Sequence, residues 1–520
     1  MAGESTDRGV TLAQVVGVIA RASDLAVGQP IDHALRSCVI ATRFADQLGV
    51  REHDRAGTYW TTLLLNAGCN GVAHEVSQLF GDDIAFQAGV CRLGPSHLER
   101  VRYVLSRAGS GMRAAQRARV RAELVARGLA VLDKSLLAQG RVSAMLADRL
   151  GLGPHVVTSL HQTYAQWGGN GVPPGVRAAQ ILLPVRIANL ATMVEVHHRE
   201  RGAAAAAEHV RDFSGTFLDP ELVDAWQIMG KEILDGIDGS PWDEVMAAAP
   251  GGAGGRNGDG LRGGALDAAL EIVADYADLK SPWFTGHSRG VAALATAAGE
   301  AVGMHALDLT LLRRAALVHD IGRAGVPDTV WNKPASLDAD EWQRVRRHAY
   351  DTDQVLRRIG PFDTLATIAA SAYERSDGSG YPKGIGGDTI PMLGRFLAAA
   401  DTYHAMTEER PHRPRRTPTE ARKLLRGAAR EGRYDPIAVD AVLRAATRAH
   451  RDFPMAPSSL SEHEAELLEL AARGGTTKTI ATSLGTTPKT IGEDVERAYA
   501  KVGVTSRPEA ALYVMSHDLA

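Results

Sequence analysis

The first 245 residues of this 520-residue chain repeat its centre, and no other feature constrains the fold as tightly. An offset of 254 places Leu12 on Leu266, Asp24 and Leu25 on Asp278 and Leu279, His33 on His287, Gly49 on Gly303 and Gly68 on Gly322. After an insertion of about 45 residues in the first copy the offset becomes 209. Tyr164 then falls on Tyr373, Gly169 on Gly378, Gly171 on Gly380, Pro173 on Pro382 and Arg186 on Arg395. Further on, DPELVDA (219–225) matches DPIAVDA (435–441). Ala- and Leu-rich stretches with a period near 3.6 dominate both copies, and no stretch alternates as a strand does, so the expected class is all-α.

Composition sets the remaining bounds. With 45% hydrophobic and 23% charged residues the chain is ordinary globular material, long enough for three domains. A net charge of −3 supplies no whole-chain field for nucleic acid or membrane, so any such binding must be local. Cys38, Cys69 and Cys91 form no CxxC pair and read as core fillers in a reducing compartment. MAGESTDRGV lacks the basic and apolar regions of a signal peptide, and no apolar run reaches 18 residues, so a cytoplasmic protein without membrane spans is expected. The Gly-rich segment 247–264 and RDFPMAPSS (451–459) read as linkers, leaving units at 10–246, 265–450 and 460–520.

The chemistry concentrates between residues 287 and 401. His287 lies four residues before Val291 and seven before Leu294, and His319 lies seven after Leu312 and four after Ala315. Asp320 follows Ala316, and Asp401 follows Leu397, at the same i+4 step. Helical spacing aims these groups at apolar faces. Two carboxylates there, beside imidazoles, are most readily compensated by a divalent cation, and mixed N and O ligands suit Mn, Fe or Zn, with Mg as a further option. Unconnected core histidines and helix caps form the competing reading.

HSRGVAALA (287–295), AALVHDIGRAGVPDTVWNKP (315–334), ERSDGSGYPKGIGGDTIP (374–391) and AADTYHAMTEERPHR (399–413) resemble the HD-GYP branch of the HD phosphohydrolase superfamily, over roughly residues 265–450. The resemblance implies metal ligands His287, His319, Asp320, His348 and Asp401, and catalytic roles for Asp320, Arg323 and His348. It implies a substrate side built from Arg323, Glu374, Asp377, Lys383 and Arg410. The sequence departs from the family at three places. The histidine pair before Glu374 is Ala372-Tyr373, the lysine after HDIG is Arg323, and the second Asp of D-x-x-D is His404, which reads as a partner of Asp401. Only His348 and the bridging Asp320 remain for a second ion, so one divalent ion per chain is expected. Arg323 can grip a phosphate but cannot act as a tunable proton donor. In the first copy, His319, Asp320 and Asp401 correspond to Leu65, Asn66 and Thr192, leaving only His33. That copy reads as a non-catalytic HD-like domain for packing, dimerisation or sensing. Its His197-His198 pair, in EVHHRERG, reads as solvated surface.

The last 61 residues carry a second signal. Ser461-Glu462-His463-Glu464 has the form of a capping box, Gly474-Gly475 ends the helix it opens, and Thr487-Pro488 offers an N-cap with proline at N1. LSEHEAELLELAARG, IATSLGTTPKTI and YAKVGVTSRPEAA resemble the LuxR-type helix-turn-helix domain. The resemblance sends residues 488–501 into the major groove and implies DNA contacts from Thr487, Lys489, Thr490, Arg497 and Lys501. Yet residues 458–520 hold six Lys or Arg against nine Asp or Glu. Phosphate neutralisation is therefore weak, and dimerisation would have to restore affinity. A helical module that binds protein is the alternative.

The expected architecture is two tandem HD-type helical domains followed by a four-helix helix-turn-helix domain. The leading function is a cytoplasmic, homodimeric transcription regulator that couples a phosphorylated ligand, such as a nucleotide or cyclic dinucleotide, to DNA. A mononuclear HD phosphodiesterase and a catalytically dead scaffold are the alternatives.

Overall fold

The computed structural model describes residues 9–94, 97–127, 130–237, 239–251, 260–357, 360–449 and 460–519. Among them every regular element is helical, with isolated bridges such as Val10 to Leu261 and Arg410 to Arg413. Residues 252–259 of the first expected linker, and all of 451–459, lie outside the described residues. The chain divides into two compact units, Arg8–Arg262 and Gly263–Ala520. None of the described helices is long and apolar enough to cross a membrane.

The repeat is visible as structure. Leu12–Ala26, His33–Gln47, Glu52–Leu64 and Leu183–Arg201 stand in the first unit where Gly263–Asp278, His287–Ala301, Ala306–Val318 and Met392–Thr407 stand in the second. Specific contacts recur at the same offsets. Asp24 accepts the N–H of Ala34 at 3.0 Å, and Asp278 accepts that of Ser288 at 2.8 Å, each tying down the start of a helix. Arg186 donates to Asp219 at 2.6 Å as Arg395 does to Asp435 at 3.0 Å. A Cβ on Gly68 would lie 1.9 Å from the carbonyl oxygen of Gln139, and one on Gly322 would lie 2.1 Å from that of His348, so both sites admit only glycine.

The inserted segment of the first unit forms its own small core. Phe80 stacks on Phe86 at 3.7 Å among Val72, Val76 and Val104, bringing in the helices His97–Arg107 and Ala114–Arg127. Cys38 and Cys69 are buried as expected, but Cys91 is exposed, because it caps the short helix Asp83–Val90 at the rim of this insertion. His197 corrects the surface reading of its pair. The chain turns back at Gly202 and lays Ala203–Asp212 over the preceding helix, so His197 is 3% exposed and stacks on His209 at 3.4 Å.

At the C-terminal end the helices are Glu462–Ala472, Thr477–Leu484, Pro488–Val502 and Arg507–Ser516. Ser461 and Glu464 form the capping box, and the Thr487 side chain accepts the Thr490 N–H. Leu467, Ile480 and Ile491 close the core with Val495 and Tyr499. These helices sit within the second compact unit. The turn at Gly474 (φ 81°) rests on Pro282, which a Cβ would approach to 2.9 Å, and Arg289 reaches Asp518 at 3.6 Å.

Candidate functional site

Local structure delivers four groups to one point. His287 is the first residue of its helix, after Gly286 in the left-handed region, and His319 caps the end of Ala306–Val318 with Asp320 immediately behind it. Asp401 comes from the middle of Met392–Thr407. All four are buried, and their ligand atoms lie within 4.8 Å of one another. His319 Nε2 is 3.0 Å from Asp320 Oδ2 and 3.6 Å from Asp401 Oδ1. His287 Nε2 is 3.4 and 3.2 Å from the same two oxygens. Two donors bound at ~2.05 Å to a tetrahedral ion stand roughly 3.3 Å apart, so the spacing suits a cation.

The far sides of the imidazoles are fixed as ligands require. His319 Nδ1–H donates to the Ala316 carbonyl at 2.7 Å, and His287 Nδ1–H to Glu408 at 2.8 Å, leaving both Nε2 atoms turned inward. His319 Nε2 makes no hydrogen bond. Arg410 in turn donates to Glu408 at 2.6 Å and to the Trp283 carbonyl. Glu408 was not singled out by the sequence, though it stands seven residues after Asp401, two helical turns on. His404 is placed differently from expectation. Its Nδ1 lies 3.3 Å from Glu408, and its ring meets His287 edge-on at 5.5 Å, because one turn beyond Asp401 the helix has carried it past the carboxylates.

His348 reaches the same carboxylate from the other side. Its Nδ1–H donates to the Val345 carbonyl and its Nε2 lies 3.6 Å from Asp320 Oδ1. Tyr373, also missed, donates its hydroxyl to that same Oδ1 at 2.7 Å and packs its ring against His348 at 4.4 Å. Arg323 places Nη2 2.6 Å from Asp320 Oδ2 and 3.4 Å from His287 Nε2, with its guanidinium over Phe284 at 4.1 Å.

The electrostatics agree with a site that wants positive charge. Burial pushes Asp320 up, but Arg323 and His319 reverse this and hold it well below the ordinary carboxylate range; Asp401 is lowered in the same way by His287 and His319. Burial lowers His319, yet Asp320 and Asp401 raise it to about 9; burial takes His348 down to about 4. Protons and Arg323 thus neutralise the two carboxylates, and a divalent ion would displace those protons on binding. The His/Asp cluster fits a metal.

Beside this cluster lies a cleft of about 770 Å³. Arg346, Arg375, Arg413, Arg416 and Arg433 line it, with Tyr381 stacked on Tyr373 as an aromatic wall. Tyr373 belongs to both cleft and cluster. Among the residues expected on the substrate side, Asp377 lines the cleft and Lys383 is exposed on the loop. Glu374 faces the loop itself, accepting the N–H groups of Lys383 and Ile385 at 2.7 and 3.1 Å. Arg410 is turned to Glu408, and Arg413 and Arg416 line the cleft.

In the first unit the equivalent point is closed by side-chain ion pairs. His33 and Glu195 pair directly, and Arg36 and Arg199 reach Glu195 at 2.8 and 3.0 Å. Residues 195 and 199 are the counterparts, at offset 209, of His404 and Glu408.

On the helix-turn-helix, Thr487 and Thr490 bond to each other at the start of Pro488–Val502. Lys489 lies 3.9 Å from Glu493, Arg497 pairs with Asp494, and Lys501 lies 2.6 Å from Glu464. Every expected cation of this face therefore has a carboxylate beside it.

Residues 271–437 match the HD-domain family and residues 458–514 the bacterial regulatory proteins of the luxR family. Among curated proteins, the 3'3'-cGAMP-specific phosphodiesterase 3 of Vibrio cholerae is 30% identical over 406 residues, 77% of this chain and 87% of that protein. The cyclic di-GMP phosphodiesterase of Thermotoga maritima is 32% identical over 177 residues, 34% of this chain and 47% of that protein. A crystal structure of a cyclic GMP-AMP specific phosphodiesterase of V. cholerae superposes with a TM-score of 0.59 at 25% identity, over 87% of this chain and 100% of that one. The chain belongs to the HD-GYP-like family of HD-domain proteins that includes this 3'3'-cGAMP-specific phosphodiesterase, and it ends in a LuxR-type helix-turn-helix domain.

Proposed function

We propose that this protein is a transcription regulator whose HD centre holds one divalent ion and whose adjacent cleft binds a cyclic dinucleotide, with occupancy transmitted to the LuxR-type domain. The observation that carries this reading is Tyr373, which closes the cluster on the side of the cleft and takes the Asp320 oxygen that a second ion would need. His287, His319, Asp320 and Asp401 would hold the ion. When bound, it supplies Lewis acidity and charge screening at phosphorus. The arginines of the cleft suit paired phosphates and Tyr381 suits a base. The relatives named for cyclic-dinucleotide hydrolysis support this ligand class.

A chain of contacts supports such coupling. Gly474 rests on Pro282, the Trp283 carbonyl accepts from Arg410, and Arg410 pairs with Glu408, which holds His287. The first unit, with its centre closed by His33, Glu195, Arg36 and Arg199, is a non-catalytic HD-like copy in this reading.

The test is calorimetric titration of the full chain with 3'3'-cGAMP and cyclic di-GMP, with product analysis and DNA binding measured in parallel. Tight binding without turnover, and a change in DNA affinity, support the regulator. Multiple turnover favours the second reading, a mononuclear phosphodiesterase, which the retained His319-Asp320 pair supports. No binding leaves a scaffold.

A further inference from the structure

The first unit contains a second convergence of metal-type donors, made by residues other than those that the repeat equates with the HD centre. His53 and Asp54 lie in the first turn of Glu52–Leu64, and His155 in the first turn of Pro154–His161. The two imidazoles approach one carboxylate oxygen: His53 Nε2 is 3.4 Å and His155 Nε2 3.3 Å from Asp54 Oδ1. All three ligand atoms lie within 4.8 Å of one another. The rings are 5.1 Å apart and inclined at 59°, so they converge without stacking.

Four features separate this from a chance surface pairing. Nε2 of His155 is buried and makes no hydrogen bond; the nearby carboxylate oxygen is at ion-pair distance but not aligned to accept from it. Asp54 is 7% exposed, and its other oxygen is held by Arg51 at 3.0 and 3.1 Å, which orients Oδ1 toward the histidines as outer groups orient metal-ligating carboxylates. The seat of His155 also depends on Gly57, where a Cβ would lie 2.8 Å from the imidazole. The O-to-N spacings of 3.3 and 3.4 Å agree with the roughly 3.3 Å between two donors on a tetrahedral ion with ~2.05 Å bonds.

We propose that His53, Asp54 and His155 bind a divalent ion of the zinc class, independently of the HD centre. Two imidazoles and one carboxylate are a borderline-soft set that selects zinc, nickel or copper over magnesium. The three donors come from one side, and His53 is 53% exposed, so the remaining coordination position faces solvent and is open to water or an added ligand. The ion ties the start of Glu52–Leu64 to the start of Pro154–His161, closing the loop that contains the inserted helices.

The test uses full-length protein carrying Asp320→Ala, which disables the HD centre, stripped with chelator and equilibrated with zinc chloride. Elemental analysis should give about one zinc per chain. Adding His53→Ala or His155→Ala should remove it or weaken its binding at least about tenfold, with the circular dichroism unchanged. In the otherwise unsubstituted protein, His53→Ala should lower the zinc count by one, which keeps the test independent of how Asp320→Ala folds. Folded Asp320→Ala protein that takes up no zinc, or zinc uptake in either background that is indifferent to His53→Ala, overturns the proposal.

Discussion

Tyr373 donates its hydroxyl to Oδ1 of Asp320 over 2.7 Å, and this is the oxygen that His348 Nε2 approaches to 3.6 Å without bonding it. A second ion bridging through Asp320 would need that lone pair and a further imidazole. Restoring the histidine pair with Ala372→His and Tyr373→His should therefore raise the bound metal from about one to about two per HD centre. Elemental analysis of both proteins in a His53→Ala background reads this directly. An unchanged count would show that Arg323, not Tyr373, excludes the second ion.

Asp320→Ala should abolish metal binding at the HD centre and, with it, metal-dependent thermal stabilisation. Glu408→Gln should act more gently, because it keeps an oxygen that can accept from His287 Nδ1–H and removes only the negative charge behind the ring. A loss of roughly 10- to 100-fold in metal affinity is expected, the range for groups behind a metal ligand. Competition with a coloured chelator measures both.

The recognition helix has its cations held in exposed pairs, which contribute little to stability but neutralise charge that DNA would use. Asp494→Asn combined with Glu464→Gln should free Arg497 and Lys501 while leaving the capping box intact, since glutamine serves there as well. DNA affinity should rise several-fold at low salt. The slope of log affinity against log salt should steepen by about two if both cations then reach phosphates. Fluorescence anisotropy across a salt series would show it.

Asp24 gives a pH-dependent prediction clear of the HD centre. Burial pushes its pKa from 3.8 to about 7, against the opposing charge of His33, and its Oδ2 has no hydrogen-bond partner. A carboxyl raised in the folded state contributes stability that is full below the unfolded pKa and is lost as pH rises through the folded one. Asp24→Asn keeps an acceptor for Ala34 and carries no charge. It should stabilise the first unit by on the order of 1 kcal/mol at pH 8, and the gain should shrink as pH falls from about 7 to about 4. Thermal melts at several pH values test the sign.

The sequence displayed what depends on local pattern. The capping box at Ser461, the Thr487-Pro488 helix start, and the burial of His287, His319, Asp320 and Asp401 follow from spacing, and four of the five metal candidates meet, while His348 stands on the other side of Asp320. The repeat was legible because its glycines, prolines and caps answer to backbone geometry, which changes slowly even when the chemistry is gone. Less legible was whatever depends on where a side chain turns. Glu408 and Arg410 stand among charged residues at the end of a helix, where the sequence does not say which way they turn, yet they fold inward beneath His287. His197 sits in a charged stretch and is covered by a helix that folds back after Gly202. Tyr373 marked a missing ligand in the sequence, and only its position shows that the hydroxyl occupies the vacated lone pair.

Arg410 holds the Trp283 carbonyl with one nitrogen and Glu408 with the other. One side chain therefore stands in the chain of contacts between the centre and the turn at Gly474. In the regulator reading proposed above, its replacement would leave the cleft and the recognition helix in place and yet unacquainted. In a genetic screen such an allele would, on that reading, look like a deaf regulator, present yet fixed in one state whatever the ligand.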